Sequence, residues 1–447
     1  MAPPCRRSFP SRDAAGSGQG RTWRLPHLPD IGDCSMRYDF RRLARAACGS
    51  VLALALVGGV AHAQTNTPTV QCARPNVIYV AGSSAIRPFL GVVAQLLAKE
   101  ATPYSIVYQS QGSCTGVKAI FSTDASQRVI KDIPASGSKV ANYAILFNAD
   151  GSAQECFLAQ EGNVVDVGVS DVFASTCDYT IPANVQISDY EGPIQPMTFV
   201  VPAASSQRSI SAEAAYMVFG TGGNQGAAAP WTDQNLYFVR NSSSGTQQML
   251  ARAIGVPADK WWGVDRGGSD GVRRNMKVLL DTETAEKALG IISTDIADEE
   301  RSNLRILAFQ ATGQSCGFLP DSTPFAKDKV NVRDGHYPIW GPVHFYTRTE
   351  AGLPSAAAAA LVSRFAAARL DKELLDVVIQ KHLVPKCAMR VKRTSEMGSL
   401  SPYSTDSRCG CYFDLVANGA SSCKPCAGPA DCPSSTPACN YGYCEAL

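Results

Sequence analysis

The sequence predicts an α/β fold with a small disulfide-rich tail at its C-terminal end. Three observations carry that expectation. Strand-like and helix-like runs alternate from Asn76 onward, the pattern of a sheet flanked by helices. Four loops rich in Gly, Ser and Thr each follow a predicted strand. Seven of the 16 cysteines lie at or beyond Cys409.

The elements follow in order. Asn76-Val77-Ile78-Tyr79-Val80 is a short, almost continuous apolar run, which reads as a buried strand. Gly82-Ser83-Ser84 turns the chain. Phe89, Val92, Val93, Leu96 and Leu97 then recur on one helical face, with Pro88 at the first helical position, where its missing N–H costs nothing. Ser105 to Gln109 is a second strand, followed by a Gly/Ser loop that opens a helix at Val117. Val164 to Val169 is a third strand. Met249, Leu250, Ala253 and Ile254 share a face behind Ser244, a serine placed to cap the helix, and Gly255 with Pro257 stops it. Leu289 to Ile292 and Val343 to Tyr346 are later strands. Ala356 to Ala368 is an alanine-rich helix.

Composition narrows the class. The net charge is +2 and only 18% of residues are charged, so no basic excess argues for nucleic acid. Residues 1–63 read as a leader. Arg37, Arg41, Arg42 and Arg45 precede the apolar run Val51–Val57, and Ala61-His62-Ala63 has the form of a cleavage site. That run is short for a membrane span, which needs about 20 apolar residues. Residues 1–35 precede Met36, which is an alternative start. The reading is a periplasmic or secreted protein, with a body over residues 64–400 and a cysteine-rich tail over 401–447. Export makes disulfides the reading for the cysteines. Zinc is the rival for the tail, because Cys423-x-x-Cys426 has ligand spacing, but neither a second such pair nor a tail histidine supports it. The tail has too few large apolar residues for a core, so cross-links must replace one.

The chemistry concentrates in the four loops: Gly82–Pro88, Gln109–Gly116, Gly168–Asp171 and Arg240–Thr246. Loops at the carboxyl ends of strands in an open α/β sheet are where ligands bind. Small residues let the backbone approach a ligand, and the first N–H groups of a helix have no internal partner and favour an anion. Arg240 adds a planar fork of donors matched to a tetrahedral oxyanion. Taken alone, Arg240 to Thr246 reads first as an ordinary polar loop that caps a helix, and the other three loops reverse that reading.

In this order the loops resemble those of the periplasmic phosphate-binding proteins of phosphate ABC transporters. The match is closest at Tyr108-Gln109-Ser110 through Gly116-Val117-Lys118, at Val169-Ser170-Asp171, and at Arg240-x-x-x-Ser244-Gly245-Thr246. The resemblance spans about residues 76–390. It implies a two-lobed, type 2 periplasmic-binding fold with phosphate, or a similar protonated oxyanion, in the cleft. It also implies delivery to an ABC transporter permease, with no metal or cofactor and no catalysis. Carried over position by position, Ser84, Ala85, Ser113, Asp171, Arg240, Ser244, Gly245 and Thr246 are the ligand contacts. Asp171 would accept a proton that phosphate carries and sulfate lacks, and so would reject sulfate.

Three departures stand out. Ser242 occupies a position where the family often has an aspartate that orients the arginine. Ala85-Ile86-Arg87 stands where a threonine is common. The stretch between Ser113 and Asp171 is long, contains Cys156, and predicts an extra hairpin or loop. The tail lies outside the family pattern, which leaves an alternative: a secreted or surface interaction protein on the same scaffold, with the tail as its docking module for a cell-surface partner. A phosphatase acting through Ser244 would need a base that the sequence does not place. His336, His344 and His382 are scattered and read as structural.

Overall fold

Sixteen residues, Ile187–Pro202, form a single strand that serves two half-sheets. The computed structural model describes residues 67–136, 141–223 and 228–446. The leader expected over residues 1–63 lies outside them. Up to Pro196 the long strand pairs antiparallel with Trp340–Glu350. From Met197 onward it pairs instead with Leu289–Ser293 and Leu304–Ile306. Prolines lack the N–H that a central strand donates. Pro196 is tolerated because it sits where one partner strand ends and the next begins. This proline-bearing strand was not legible as a strand in the sequence.

The first half-sheet runs in the order Trp340–Glu350, Val167–Ser170, Val77–Gly82, Ser105–Ser110, Ala144–Phe147, Ala153–Cys156. Its central strands Val77–Gly82, Ser105–Ser110 and Val167–Ser170 are mutually parallel. In the second half, Val264–Asp265, Tyr237–Val239 and Leu289–Ser293 are parallel neighbours beside the long strand. The chain crosses from the first lobe to the second along Ile187–Pro202 and comes back along Trp340–Glu350. The fold is therefore the α/β, two-lobed arrangement that the sequence predicted, with a disulfide-rich C-terminal region.

Each lobe has an apolar layer under its helices. In the first, Phe89, Val93, Leu96 and Leu97 pack with Ile78 and Val80 and with Leu361, Phe365, Leu374 and Val378. In the second, Val272 and Met276 pack on Phe238, Ile292 and Val200. Burying a side chain of this size contributes about 1.5–3 kcal/mol.

The boundaries differ from expectation for local reasons. Pro88 lies within a 3-10 turn, Ser84–Phe89, and the α-helix begins at Leu90. The second helix spans Ser113–Phe121, starting before Val117, because Gly112 turns the chain at φ 101°. Gly116 is what lets this helix lie directly on the sheet: a Cβ there would fall 2.5 Å from the Val169 carbonyl oxygen and 2.8 Å from that of Ala81. The third strand is broken at Asp166, whose carboxylate accepts from the Tyr79 amide at 2.8 Å. The extra segment between Ser113 and Asp171 adds the antiparallel hairpin Ala144–Phe147 and Ala153–Cys156 to the sheet edge.

The disulfides are Cys72–Cys156, Cys114–Cys177, Cys387–Cys409, Cys411–Cys423, Cys426–Cys439 and Cys432–Cys444. Cys316 is disulfide-bonded as well. The Cys426, Cys432 and Cys444 sulfurs lie within 4.8 Å of one another, but each is already in a disulfide and none is a thiolate that a metal could take. The tail packs on the body. The Cys387–Cys409 bond crosses the expected boundary, the Tyr412 hydroxyl donates to Asp376 Oδ1 at 2.5 Å, and Arg333 Nη1 donates to Asp414 Oδ1 at 2.6 Å. No helix among the described residues is long and apolar enough to cross a membrane.

Candidate anion site between the lobes

The parallel strands of each lobe lead into loops that carry polar side chains. In the first lobe Val77–Gly82 leads to Ser83, Ser105–Ser110 to Ser113, and Val167–Ser170 to Asp171. In the second, Tyr237–Val239 leads to Arg240, Val264–Asp265 to Ser269, and Leu289–Ser293 to Asp295. Parallel alignment places each set of loops at a common edge.

The first half of the site is built around the Asp171 carboxylate, which is 6% exposed. The Ser83 hydroxyl donates to Oδ1 and the Ser113 hydroxyl to Oδ2, the latter at 3.3 Å. The Asp171 amide donates back to Ser113 Oγ at 3.1 Å. Ser83 is itself fixed, since its carbonyl accepts from the Tyr108 hydroxyl at 2.7 Å and its Oγ from the Ala85 amide at 3.1 Å. Burial pushes the Asp171 carboxyl above the ordinary carboxylate range, with the two serine hydroxyls and the Arg240 charge pulling the other way. Beyond it, the Phe173 amide donates to Glu396 Oε2 at 3.3 Å, and burial pushes that carboxyl up to about 7.

The second half is built around Arg240, 8% exposed. Its Nε donates to the Gly267 carbonyl at 2.7 Å, and its Nη1 donates to Ser269 Oγ at 2.5 Å and to Thr246 Oγ1 at 3.4 Å. Among the described residues these partners are all neutral. Loss of water therefore draws the guanidinium down to about 10, against the longer-range pull of Asp171, Asp265, Asp270 and Asp295. At neutral pH it keeps its charge. Ser244 caps the helix Gly245–Ile254 by accepting from the Gln247 amide. The Thr246 hydroxyl also reaches Met197 Sδ at 3.4 Å.

The two halves touch. A Cβ on Gly245 would fall 2.3 Å from Ser113 Oγ and 3.0 Å from Asp171 Oδ2, so only glycine brings the helix N-terminus this near. The Cys114 amide donates to the Ser243 carbonyl at 3.1 Å, which joins the second and fourth loops. The predicted residues Ser113, Asp171, Arg240, Ser244, Gly245 and Thr246 thus converge. Ala85 is buried beside them. Ser84 is exposed, and its neighbour Ser83 is the one that meets Asp171.

Ser242 is exposed and does not reach Arg240; its carbonyl accepts from Gln248 Nε2 at 2.6 Å. Orientation of the arginine comes instead from Gly267 and Ser269, which sequence reasoning missed. The available signal was a fifth small-residue loop, Gly267-Gly268-Ser269, leading into Val272 and Met276 at i,i+4 spacing. Gln195 and Asp295 were also missed: buried Gln195 on the long strand donates to Asp295 Oδ1 at 3.1 Å. His344 is fully buried and bonded through Nδ1 to Asp189, a structural placement.

Asp295 gives a stability prediction. Burial, with help from the Asp171 charge, raises its carboxyl to about 6 against hydrogen bonds from Ser293 and the Ile296 amide. The unfolded chain releases this proton near the ordinary value of about 3.9. The folded chain therefore holds more protons in between, and the resulting stabilisation is complete below that value and lost as pH rises through about 6. Denaturant unfolding of the ligand-free protein is expected to lose about 2–3 kcal/mol from this group between pH 4 and pH 7. Asp295→Asn is expected to flatten that slope. An unchanged slope in the variant would refute the assignment.

No protein-family model matches the chain, and no curated protein matches it. Solved structures do resemble it. One is a protein assigned as the substrate-binding protein of a phosphate ABC transporter, with bound phosphate, from Clostridium perfringens: 14% identity, TM-score 0.45, covering 69% of this chain and 99% of that one. Another is an ABC-type phosphate transport receptor from Vibrio cholerae, at 13% identity and TM-score 0.41, covering 69% and 100%. A phosphate-binding protein from Stenotrophomonas maltophilia has 14% identity and TM-score 0.41, covering 77% and 99%. At these identities and scores the likeness is one of general chain path.

Proposed function

We propose that this chain is an exported solute-binding protein that takes a small tetrahedral oxyanion, inorganic phosphate first, between its lobes and hands it to an ABC transporter permease. The observation that carries the reading is Arg240, a buried guanidinium whose described partners are all neutral. A buried charge whose carboxylates act only at longer range, with no counter-ion bonded to it directly, is costly. An oxyanion at the Gly245 helix start would supply that counter-ion, held by charge-assisted bonds of about 1.5–3 kcal/mol each. Ser113, Ser244, Thr246 and the Gly245 amide are the proposed neutral contacts, with Ser83 taking the part first given to Ser84. No bond is made or broken, and closure of the lobes is the working motion.

The cross-linked body and cysteine content support export. The tail faces inward at Tyr412, on Asp376, and at Asp414, on Arg333, which favours bracing the body over docking a separate partner. Calorimetry at pH 7.5 tests the function. Saturable binding of phosphate that survives chelator is expected, and no heat of binding with any oxyanion would sink the proposal.

A further inference from the structure

Arg240 is a long side chain on a strand end, and such a group recognises an anion well only when its fork is held in one orientation. In this protein the holding groups are the Gly267 carbonyl on Nε at 2.7 Å and the Ser269 hydroxyl on Nη1 at 2.5 Å. Both come from the turn between the strand Val264–Asp265 and the helix Ser269–Met276. Ser269 is 6% exposed, and Gly267 adopts φ 70°, which a side chain would strain. The turn is anchored on the same strand end as Arg240, since the Arg266 amide donates to the Val239 carbonyl at 3.0 Å. The bond to Thr246, at 3.4 Å, is the weakest of the set.

We infer that Ser269 is the positioning residue of the anion site, and that it and the Gly267 carbonyl orient Arg240 without a carboxylate. This rests on the anion-binding reading above. Its consequence is electrostatic. An aspartate in that place would cancel part of the arginine's charge at contact, whereas a hydroxyl and a carbonyl fix the fork and leave the carboxylates Asp171, Asp265, Asp270 and Asp295 to act only at longer range. Ser242, on the exposed side of the loop, takes no part.

The test uses the full exported chain with Ser269→Ala and Ser269→Thr, each on the native background and with Arg240→Lys, and inorganic phosphate as the probe. Ser269→Ala is expected to weaken phosphate binding by about 10-fold or more, the effect of losing one hydrogen bond to a charged group. Ser269→Thr, which keeps the hydroxyl, is expected to restore most of it. With Arg240→Lys in place, adding Ser269→Ala is expected to change little, because lysine has no Nε–Nη1 edge to hold. Equal losses on both backgrounds, or no loss on the native one, would overturn the inference. Nitrogen-15 NMR of the ligand-free protein decides the same point without phosphate. The Arg240 Nη1–H signal should be protected from exchange in the native chain and in Ser269→Thr, and exposed in Ser269→Ala, since Nη1 is the nitrogen that donates to the Ser269 hydroxyl. Protection that persists in Ser269→Ala overturns the positioning role. Failure of the native chain to bind phosphate would count against the function alone.

Discussion

Arg240→Ala is expected to remove most phosphate binding, a loss of about two to four orders of magnitude in affinity. The estimate takes two charge-assisted bonds at about 1.5–3 kcal/mol each, with about 1.4 kcal/mol per factor of ten. The ligand-free protein should respond differently. Removing the side chain also removes a buried charge whose described partners are neutral, and that relief offsets the loss of its hydrogen bonds. The melting temperature without ligand is therefore expected to shift by only a few degrees, while the rise that phosphate gives the native chain disappears. Thermal melts with and without phosphate check both halves. A variant that keeps the phosphate-induced rise would refute the role of Arg240.

Asp171→Asn should change which anion is preferred. The native carboxylate already accepts from Ser83 and Ser113, and as an anion it can take one more proton from a ligand that carries one. Fully ionised sulfate offers none and meets like charge. Sites that require a particular hydrogen bond discriminate by about 10⁴-fold. With asparagine the repulsion is gone and an N–H is available to sulfate, so discrimination is expected to collapse to about 10-fold or less, with phosphate weakened and sulfate strengthened. Calorimetry with both anions at pH 8 measures this. The native protein should also lose discrimination on acidification. Burial raises the Asp171 pKa, and below it the neutral carboxyl becomes a donor that sulfate can use. Equal affinity of the native chain for both anions at pH 8 would remove Asp171 from this role.

The sequence made the site more legible than the fold's long elements. Ser113, Asp171, Arg240 and the Ser244–Thr246 turn stand beside strand ends marked by short apolar runs, so local pattern and chemistry coincide. Ile187–Pro202 is illegible because Pro193 and Pro196 contradict the strand pattern: Pro193 is tolerated at the register shift opposite Pro342–His344, and Pro196 at the change of partner before Met197. The choice of Ser84 over Ser83 turned on the rotation of one 3-10 turn, which spacing does not determine. Ser269 was missed because it lies 29 residues beyond Arg240 in the chain, and the two meet only through adjacent parallel strands. The disulfide pairing, left open by spacing, depends on which loops the sheet brings together.

The Cys114–Cys177 bond reaches past the folded state. It joins the residue after Ser113 to the loop after Asp171, across a sequence separation of 63. An unfolded chain with this link cannot carry those segments far apart. The link lowers the entropy of the denatured ensemble by an amount worth about 4 kcal/mol in the loop-closure picture. The loops after Ser113 and Asp171 therefore start their search as neighbours, and the Ser113–Asp171 contact, 58 residues apart along the chain, behaves as a local one in folding.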